Sequence, residues 1–213
     1  MQNRFYALIS RMRYINRWGL MRNTFQENIQ EHSHQVAVLA HALALIDRVY
    51  CGNTSAPDPD ACASAALYHD ASEILTGDLA TPIKYYNPEI RSAYKEVERI
   101  SSKRLLELLP EELRPYYVPL LLDPAPDVEV MVKAADKLSA HIKCLEELRA
   151  GNGEYTSAAA QTRRALEQMD LPALRYFMEH FLDSFTLDLD EINGAVQTAG
   201  DEGSCPSQKG DSQ

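Results

Sequence analysis

Four residues in this chain have side chains that bind divalent transition metals, and each sits inside a predicted helix. They are His32 in Glu31-His32-Ser33, the adjacent pair His69-Asp70, and Asp136 in Lys133-Ala134-Ala135-Asp136-Lys137. His69-Asp70 closes the apolar run Ala65-Ala66-Leu67-Tyr68, so two polar groups would have to leave water together. Buried charge needs a partner. Two His and two Asp from three helices suit a divalent ion and leave octahedral positions open for water and substrate. An ion held this way acidifies its water and polarises a phosphoryl oxygen, which is the chemistry of hydrolysis. Glu73 follows His69 by four residues and Asp70 by three, the spacing of one face of a continuous helix. From there a carboxylate reaches the water as a base, or a leaving alkoxide as an acid; the spacing leaves both roles open. A His-Asp pair taken alone is a common coincidence, and an isolated His is more often a packing residue. Only the whole set of residues together points to a metal.

The elements that carry these groups read as helices. Val36, Leu39, Ala40, Leu43 and Ile46 recur at spacings of three and four in a segment from Asn28 to Val49 that contains no Gly or Pro. An Ala-rich stretch over 60–75 ends at Thr76-Gly77, a helix stop. Helical rhythm returns over 89–109, a start is expected at Pro110-Glu111-Glu112, and a long pattern covers 127–150 up to Gly151-Asn152-Gly153. Shorter helices are predicted over 154–169 and 171–183. No alternating β-branched run and no fixed-period repeat is present, so the fold class is all-α. One domain is expected over 1–192. From residue 193 the composition turns to Gly, Ser, Gln and Asp, which predicts a disordered tail over 193–213.

The 213 residues carry 21 basic and 31 acidic side chains, a net charge of −10, and are 45% apolar. That is enough for a core, and the net charge disfavours a nucleic-acid polymer as partner. The charge is uneven. Residues 1–25 hold Arg4, Arg11, Arg13, Arg17 and Arg22 and no acid, leaving 16 basic against 31 acidic residues for the remainder. A transit peptide is disposable, whereas Phe5, Leu8, Ile9, Met12, Ile15 and Trp18 recur at helical spacing, as in a helix packed in the fold. No apolar run is long enough to cross a membrane. Cys51, Cys62, Cys144 and Cys205 form no CxxC pair, which predicts reduced thiols in a cytoplasm.

The pattern His32…His69-Asp70…Asp136 resembles the H…HD…D signature of the HD-domain metal-dependent phosphohydrolases. Longer strings resemble the bacterial 5′-deoxynucleotidase (YfbR-like) family within it. They include Ile15-Asn16-Arg17-Trp18, Leu20-Met21-Arg22-Asn23, Glu27-Asn28, Tyr68-His69-Asp70-Ala71-Ser72-Glu73, Leu75-Thr76-Gly77-Asp78-Leu79, Thr81-Pro82 and Lys143-Cys144-Leu145-Glu146-Glu147-Leu148. The resemblance runs from about residue 5 to 192. It implies a helical bundle that dimerises, with metal ligands at His32, His69, Asp70 and Asp136 and catalytic residues at Glu73 and Arg17. Arg17, Trp18, His32 and the loop Asp78-Leu79-Ala80-Thr81 would contact substrate, Arg17 orienting the phosphate. The implied reaction is hydrolysis of deoxyribonucleoside 5′-monophosphates with cobalt or manganese, discriminating against ribonucleotides. Ala80 departs from the family pattern, which has Pro there; loss of the ring frees the loop backbone.

Physical chemistry supports that reading. Arg offers a planar fork of donors to phosphate oxygens and keeps its charge. Asp78 could accept from a 3′-hydroxyl, and a tight pocket at the 2′ carbon would exclude ribose. By residue type alone, Arg17 is a solvated cation, Trp18 a packing ring and Asp78 a turn residue. His34, His41, His141 and His180 have no ligand argument, and Glu146-Glu147 reads as a solvated helix face. Lys84-Tyr85-Tyr86 suits loop packing as well as it suits a nucleotide. The competing functions are cleavage of nucleoside triphosphates, alarmones or cyclic phosphodiesters by the same scaffold, and non-catalytic nucleotide binding.

Overall fold

The computed structural model describes residues 3–84 and 86–200. The N-terminal helix α1 (Phe5–Ile9) runs on as a 3-10 turn over Ser10–Tyr14. Then follow α2 (Ile29–Val49), α3 (Pro59–Tyr68), α4 (Glu73–Thr76), α5 (Thr81–Lys84) and α6 (Pro88–Glu107). The chain continues through α7 (Arg114–Leu121), α8 (Pro126–Arg149), α9 (Thr156–Glu167), α10 (Pro172–His180) and α11 (Leu189–Gly200). Among the described residues there is no β-strand, only one antiparallel bridge between Asn16 and Asn28.

The core forms where α2, α3 and α8 meet. Ala40 and Ala44 of α2, Ala65 and Ala66 of α3, and Ala134 and Ala135 of α8 are all buried, so the three helices approach closely. Leu43, Leu138, Ile142, Leu174 and Phe177 fill the remaining space, each large side chain contributing about 1.5–3 kcal/mol when buried. A second cluster joins Phe5 and Ala71 to Leu105 and Leu109, with Tyr117 meeting the Phe5 ring edge-on at 5.0 Å. A third joins Cys144, Tyr155 and Ala159 to Trp18 and Met21.

Three expectations change. The helix over 60–75 is interrupted: α3 ends at Tyr68, and four-residue turns follow, with Ala71 N–H donating to the Tyr68 carbonyl and Glu73 N–H to the Asp70 carbonyl (3.0 Å each). His69 and Asp70 therefore stand at the break and not within a helix. Its cause is tertiary, since Ala71 is drawn into the second cluster beside Phe5. The N-terminal helix stops at Tyr14, and Trp18 takes a left-handed backbone (φ 57°) that no helix allows. The start expected at Pro110 comes at Arg114. Residue 192, the expected end of the domain, lies within α11, whose start is capped by Asp188 and Glu191 bonding each other's backbone N–H (2.8 and 2.7 Å). Residues 201–213, the rest of the expected tail, lie outside the described residues.

Candidate metal and phosphate site

Helix α2 begins with a reciprocal cap. Asn28 accepts from the N–H groups of Gln30 and Glu31 (3.0 Å each), and Glu31 accepts from Asn28 N–H (3.2 Å). Such a cap is worth about 1 kcal/mol and fixes the helical phase. It sets His32 in the first turn, fully buried and facing α8. There His32 Nε2 lies 3.1 Å from Oδ1 of Asp136 and 3.7 Å from Oδ2 of Asp70. His69, at the end of α3, donates from Nδ1 to the Ala66 carbonyl (2.7 Å), because a carbonyl can only accept. Its Nε2 then points inward, 3.2 Å from Asp70 Oδ2 and 4.0 Å from Asp136 Oδ1. That nitrogen is buried and has no hydrogen-bond partner.

His32, His69 and Asp136 each offer a ligand atom, all within 4.8 Å of one another, and Asp70 lies beside them. Two inward nitrogens, one of them orphaned, face two carboxylates: a cation is the group that satisfies all of them at once. The donor set fits a divalent metal ion. Without one, a proton takes that place. Burial works against charge on His69, yet Asp70 and Asp136 outweigh it and lift the ring to about 9. Burial would likewise raise the carboxylates, but His32 and His69 hold Asp136 down to about 2, and His69, His32 and Arg17 hold Asp70 well below the carboxylate range.

Arg17 reaches this cluster from the segment between the 3-10 turn and α2. Its Nη1 is 3.6 Å from Asp70 Oδ2, and its Nε is 3.2 Å from Glu27. The same Glu27 oxygen accepts from Trp18 Nε1 (3.2 Å), and the Trp18 ring packs on Tyr155 at 5.4 Å. Backbone bonds from Arg17 N–H to Glu27 and from Ile29 N–H to Ile15 (2.9 Å each) tie the segment to the start of α2. The N-terminal arginine is thus an inward cation, not a solvated one.

Glu73 is buried at the start of α4, and burial, then the charges of Asp70 and Asp78, push its carboxyl up to about 9. A neutral carboxyl beside the cluster is a proton donor. Gly77 follows in the left-handed region (φ 73°), a turn that favours glycine, and leads to the exposed Asp78 and the half-buried Leu79 and Ala80. The Ala80 carbonyl accepts from the N–H groups of Ile83 (2.8 Å) and Lys84 (3.1 Å), so Thr81 opens α5 directly after this loop. Lys84 pairs with Glu98 (2.7 Å) and sits 4.7 Å above the Tyr94 ring, a packing role; Tyr85 lies outside the described residues.

One expectation is overturned outright. Glu147 is 0% exposed: it accepts from the N–H and hydroxyl of Thr24 (2.9 and 2.8 Å), from Asn152 (2.9 Å) and from Lys143 (2.5 Å), itself 1% exposed. Lys143 also donates to the Phe25 carbonyl (2.8 Å) and lies over the Phe25 ring. These bonds moor the Arg17 segment to α8. Sequence reasoning also missed Glu27 and Ser139. Ser139 carried a signal, standing three residues after Asp136 on the same face of α8.

A family model described as "5'-deoxynucleotidase YfbR-like" matches residues 4–185. A curated 5′-deoxynucleotidase of Erwinia tasmaniensis is 51% identical over 193 residues, covering 89% of this chain and 96% of the relative. Among solved structures, an HD-domain phosphohydrolase from Listeria innocua superposes with a TM-score of 0.74 at 21% identity, covering 92% of this chain and 96% of that one. The cyanophage S-2L HD phosphohydrolase DatZ, bound to dA and one catalytic Zn2+ ion, superposes at 0.58 with 21% identity, over 84% and 96% of the two chains. These two share the fold. The extent of the family match and the half-identical relative place this all-α chain in the YfbR-like 5′-deoxynucleotidase family.

Proposed function

We propose that this protein hydrolyses deoxyribonucleoside 5′-monophosphates to deoxyribonucleoside and phosphate, as its family's name states. The observation that carries this reading is the convergence of His32, His69, Asp70 and Asp136, with the Arg17 guanidinium 3.6 Å from Asp70. His32, His69, Asp70 and Asp136 would hold the metal, which when bound supplies Lewis-acid activation of water and charge against the phosphoryl oxygens. Arg17 binds and orients the phosphate, its own direction set by Glu27. Water attacks phosphorus, the bond to O5′ breaks, Glu73 gives its proton to the departing O5′, and the Glu73 carboxylate so formed takes back the proton that the attacking water sheds. Asp78, exposed at the mouth of the loop, accepts from the sugar 3′-hydroxyl, and Leu79, Ala80 and Thr81 border the sugar. Trp18 and His32 complete the substrate contacts.

The mixed nitrogen and oxygen donors suit cobalt or manganese, the ions proposed here; the zinc of the cyanophage protein is the alternative to compare. On α2, Val38, Leu45 and Val49 form an exposed apolar stripe at spacings of seven and four, which supports a homodimer. The free thiols Cys51, Cys62 and Cys144 fit a reducing cytoplasm; Cys205 lies outside the described residues. Among the described residues no helix is long and apolar enough to cross a membrane.

Product analysis on paired ribo- and deoxyribonucleoside 5′-monophosphates, with cobalt and manganese, tests the reading. Inorganic phosphate from every deoxy substrate, and little from its ribo partner, is expected. Pyrophosphate or triphosphate release from a nucleotide panel would overturn it in favour of another phosphohydrolase, and tight nucleotide binding without turnover in favour of a regulator.

A further inference from the structure

We propose that Ser139 and Gln35 are positioning residues that fix which nitrogen of His32 carries the proton, and so keep its other nitrogen available to a metal ion. The inference rests on the metal-site reading above. Helices α2 and α8 face each other through two matched pairs, each spaced three residues apart: His32 and Gln35 on one, Asp136 and Ser139 on the other. His32 Nε2 meets Asp136 at 3.1 Å, His32 Nδ1 meets the Ser139 oxygen at 3.1 Å, and the Ser139 hydroxyl donates to Gln35 Oε1 at 2.8 Å.

The proton count follows from the donors available. A hydroxyl has one proton and accepts with its lone pairs. Ser139 spends its proton on Gln35, so at His32 it can only accept, and Nδ1 must be the nitrogen that carries hydrogen. The Nε2 lone pair is left facing Asp136 and Asp70. Were the Gln35 amide reversed, its NH2 would donate to Ser139, the hydroxyl would turn to His32, and the proton would move to Nε2. That ring could bond Asp136 but could not ligate a metal. His69 reaches the same protonation pattern through the Ala66 carbonyl, a backbone group that accepts whatever the side chains do. His32 depends on two side chains instead, and both His32 and Ser139 are fully buried, so water does not substitute for the missing acceptor. Partners behind a ligating histidine typically alter metal affinity by about 10–100-fold.

The test is metal affinity of the full chain, measured by titrating Co2+ and Mn2+ by calorimetry and following the Co2+ visible spectrum. Ser139→Ala is expected to bind about 10–100-fold more weakly, Ser139→Thr to stay near wild type because the hydroxyl is kept, and Gln35→Glu to bind at least as well as wild type because a carboxylate only accepts. Gln35→Met should weaken binding by a smaller factor. Nitrogen-15 NMR of the protein loaded with diamagnetic Zn2+ should show His32 protonated at Nδ1 and ligating through Nε2 in wild type, and a mixture of forms in Ser139→Ala. Thermal melts establish that each variant is folded. Wild-type affinity in folded Ser139→Ala, or a His32 without hydrogen at Nδ1 in Zn2+-loaded wild type, would overturn the inference while leaving the metal site standing. Failure of the wild-type chain to bind either ion would overturn both.

Discussion

Arg17 and the His/Asp cluster meet at Asp70, but they arrive there on opposite kinds of backbone. His32 and Asp136 ride on helices of 21 and 24 residues, packed face to face through alanines, so their separation is fixed by the core itself. Arg17 rides on the irregular stretch between Tyr14 and Asn28, where no repeating hydrogen-bond pattern sets its place. That stretch is held by side chains: by its own Glu27 on Arg17 and Trp18, and from outside by Glu147 on Thr24, by Lys143 on Phe25, and by Asn152 on the Arg22 carbonyl (2.7 Å). Trp18 even keeps a left-handed backbone, a conformation costing about 1–3 kcal/mol that survives only where surroundings impose it. A metal pole built into the core and a phosphate pole moored by side chains should fail in different ways.

The largest difference should come from a change that spares both poles and removes the chemistry between them. Glu73→Ala is expected to lower kcat by about 10²–10⁴-fold while Co2+ affinity and thermal stability stay close to wild type. Turnover of dAMP at the wild-type rate in that variant would remove Glu73 from the mechanism.

Lys143→Met strikes the mooring alone. It leaves Glu147 buried without its cation, and breaking one side of a buried pair costs about 3–5 kcal/mol. The effect on function should be selective, with KM for the nucleotide rising while metal affinity, measured on the folded fraction, holds. If metal affinity falls in step with KM, the two poles are not mechanically separate.

Acid should find the mooring as well. Burial opposes charge on Glu147, but Lys143, Asn152 and Thr24 outweigh it and hold its carboxyl at about 2, below the ordinary 4.5. The folded value lies below the unfolded one, so this stabilisation is complete above about pH 4.5 and is lost as pH falls through about 2. Denaturant melts across that window should show a shallower acid slope for Glu147→Gln than for wild type. Parallel slopes would mean that other carboxylates dominate acid unfolding.

This division also explains what the sequence reveals. His32, His69, Asp70 and Asp136 are legible because few residue types ligate metals, and α2, α6 and α8 because apolar residues recur at helical spacing. The break after Tyr68 is not, because no Gly or Pro marks it: Ala71 leaves the helix to join Phe5 in a second core, a choice made far along the chain. Glu147 is misread for a related reason. A charged pair on a helix is usually solvated, and only its partners from residues 24 and 152 show that it is buried. Local pattern records what a helix supplies to itself, and the Arg17 segment takes almost all its support from elsewhere.

The smallest expected effect is the most discriminating about Trp18, whose ring packs on Tyr155 while its Nε1 bonds the Glu27 oxygen that also steers Arg17. Trp18→Phe keeps an aromatic ring against Tyr155 and deletes only the N–H donor. Loss of one such bond costs about 1 kcal/mol, visible as a small drop in melting temperature. Glu27 then has one donor fewer to fix its carboxylate, and Arg17 is steered less firmly toward the cluster. A rise of a few fold in KM with kcat nearly unchanged is therefore expected, and inorganic phosphate should inhibit more weakly by the same factor. If KM and phosphate inhibition both stay at wild-type values, Trp18 acts by packing alone, and the steering of Arg17 belongs to its backbone bond with Glu27.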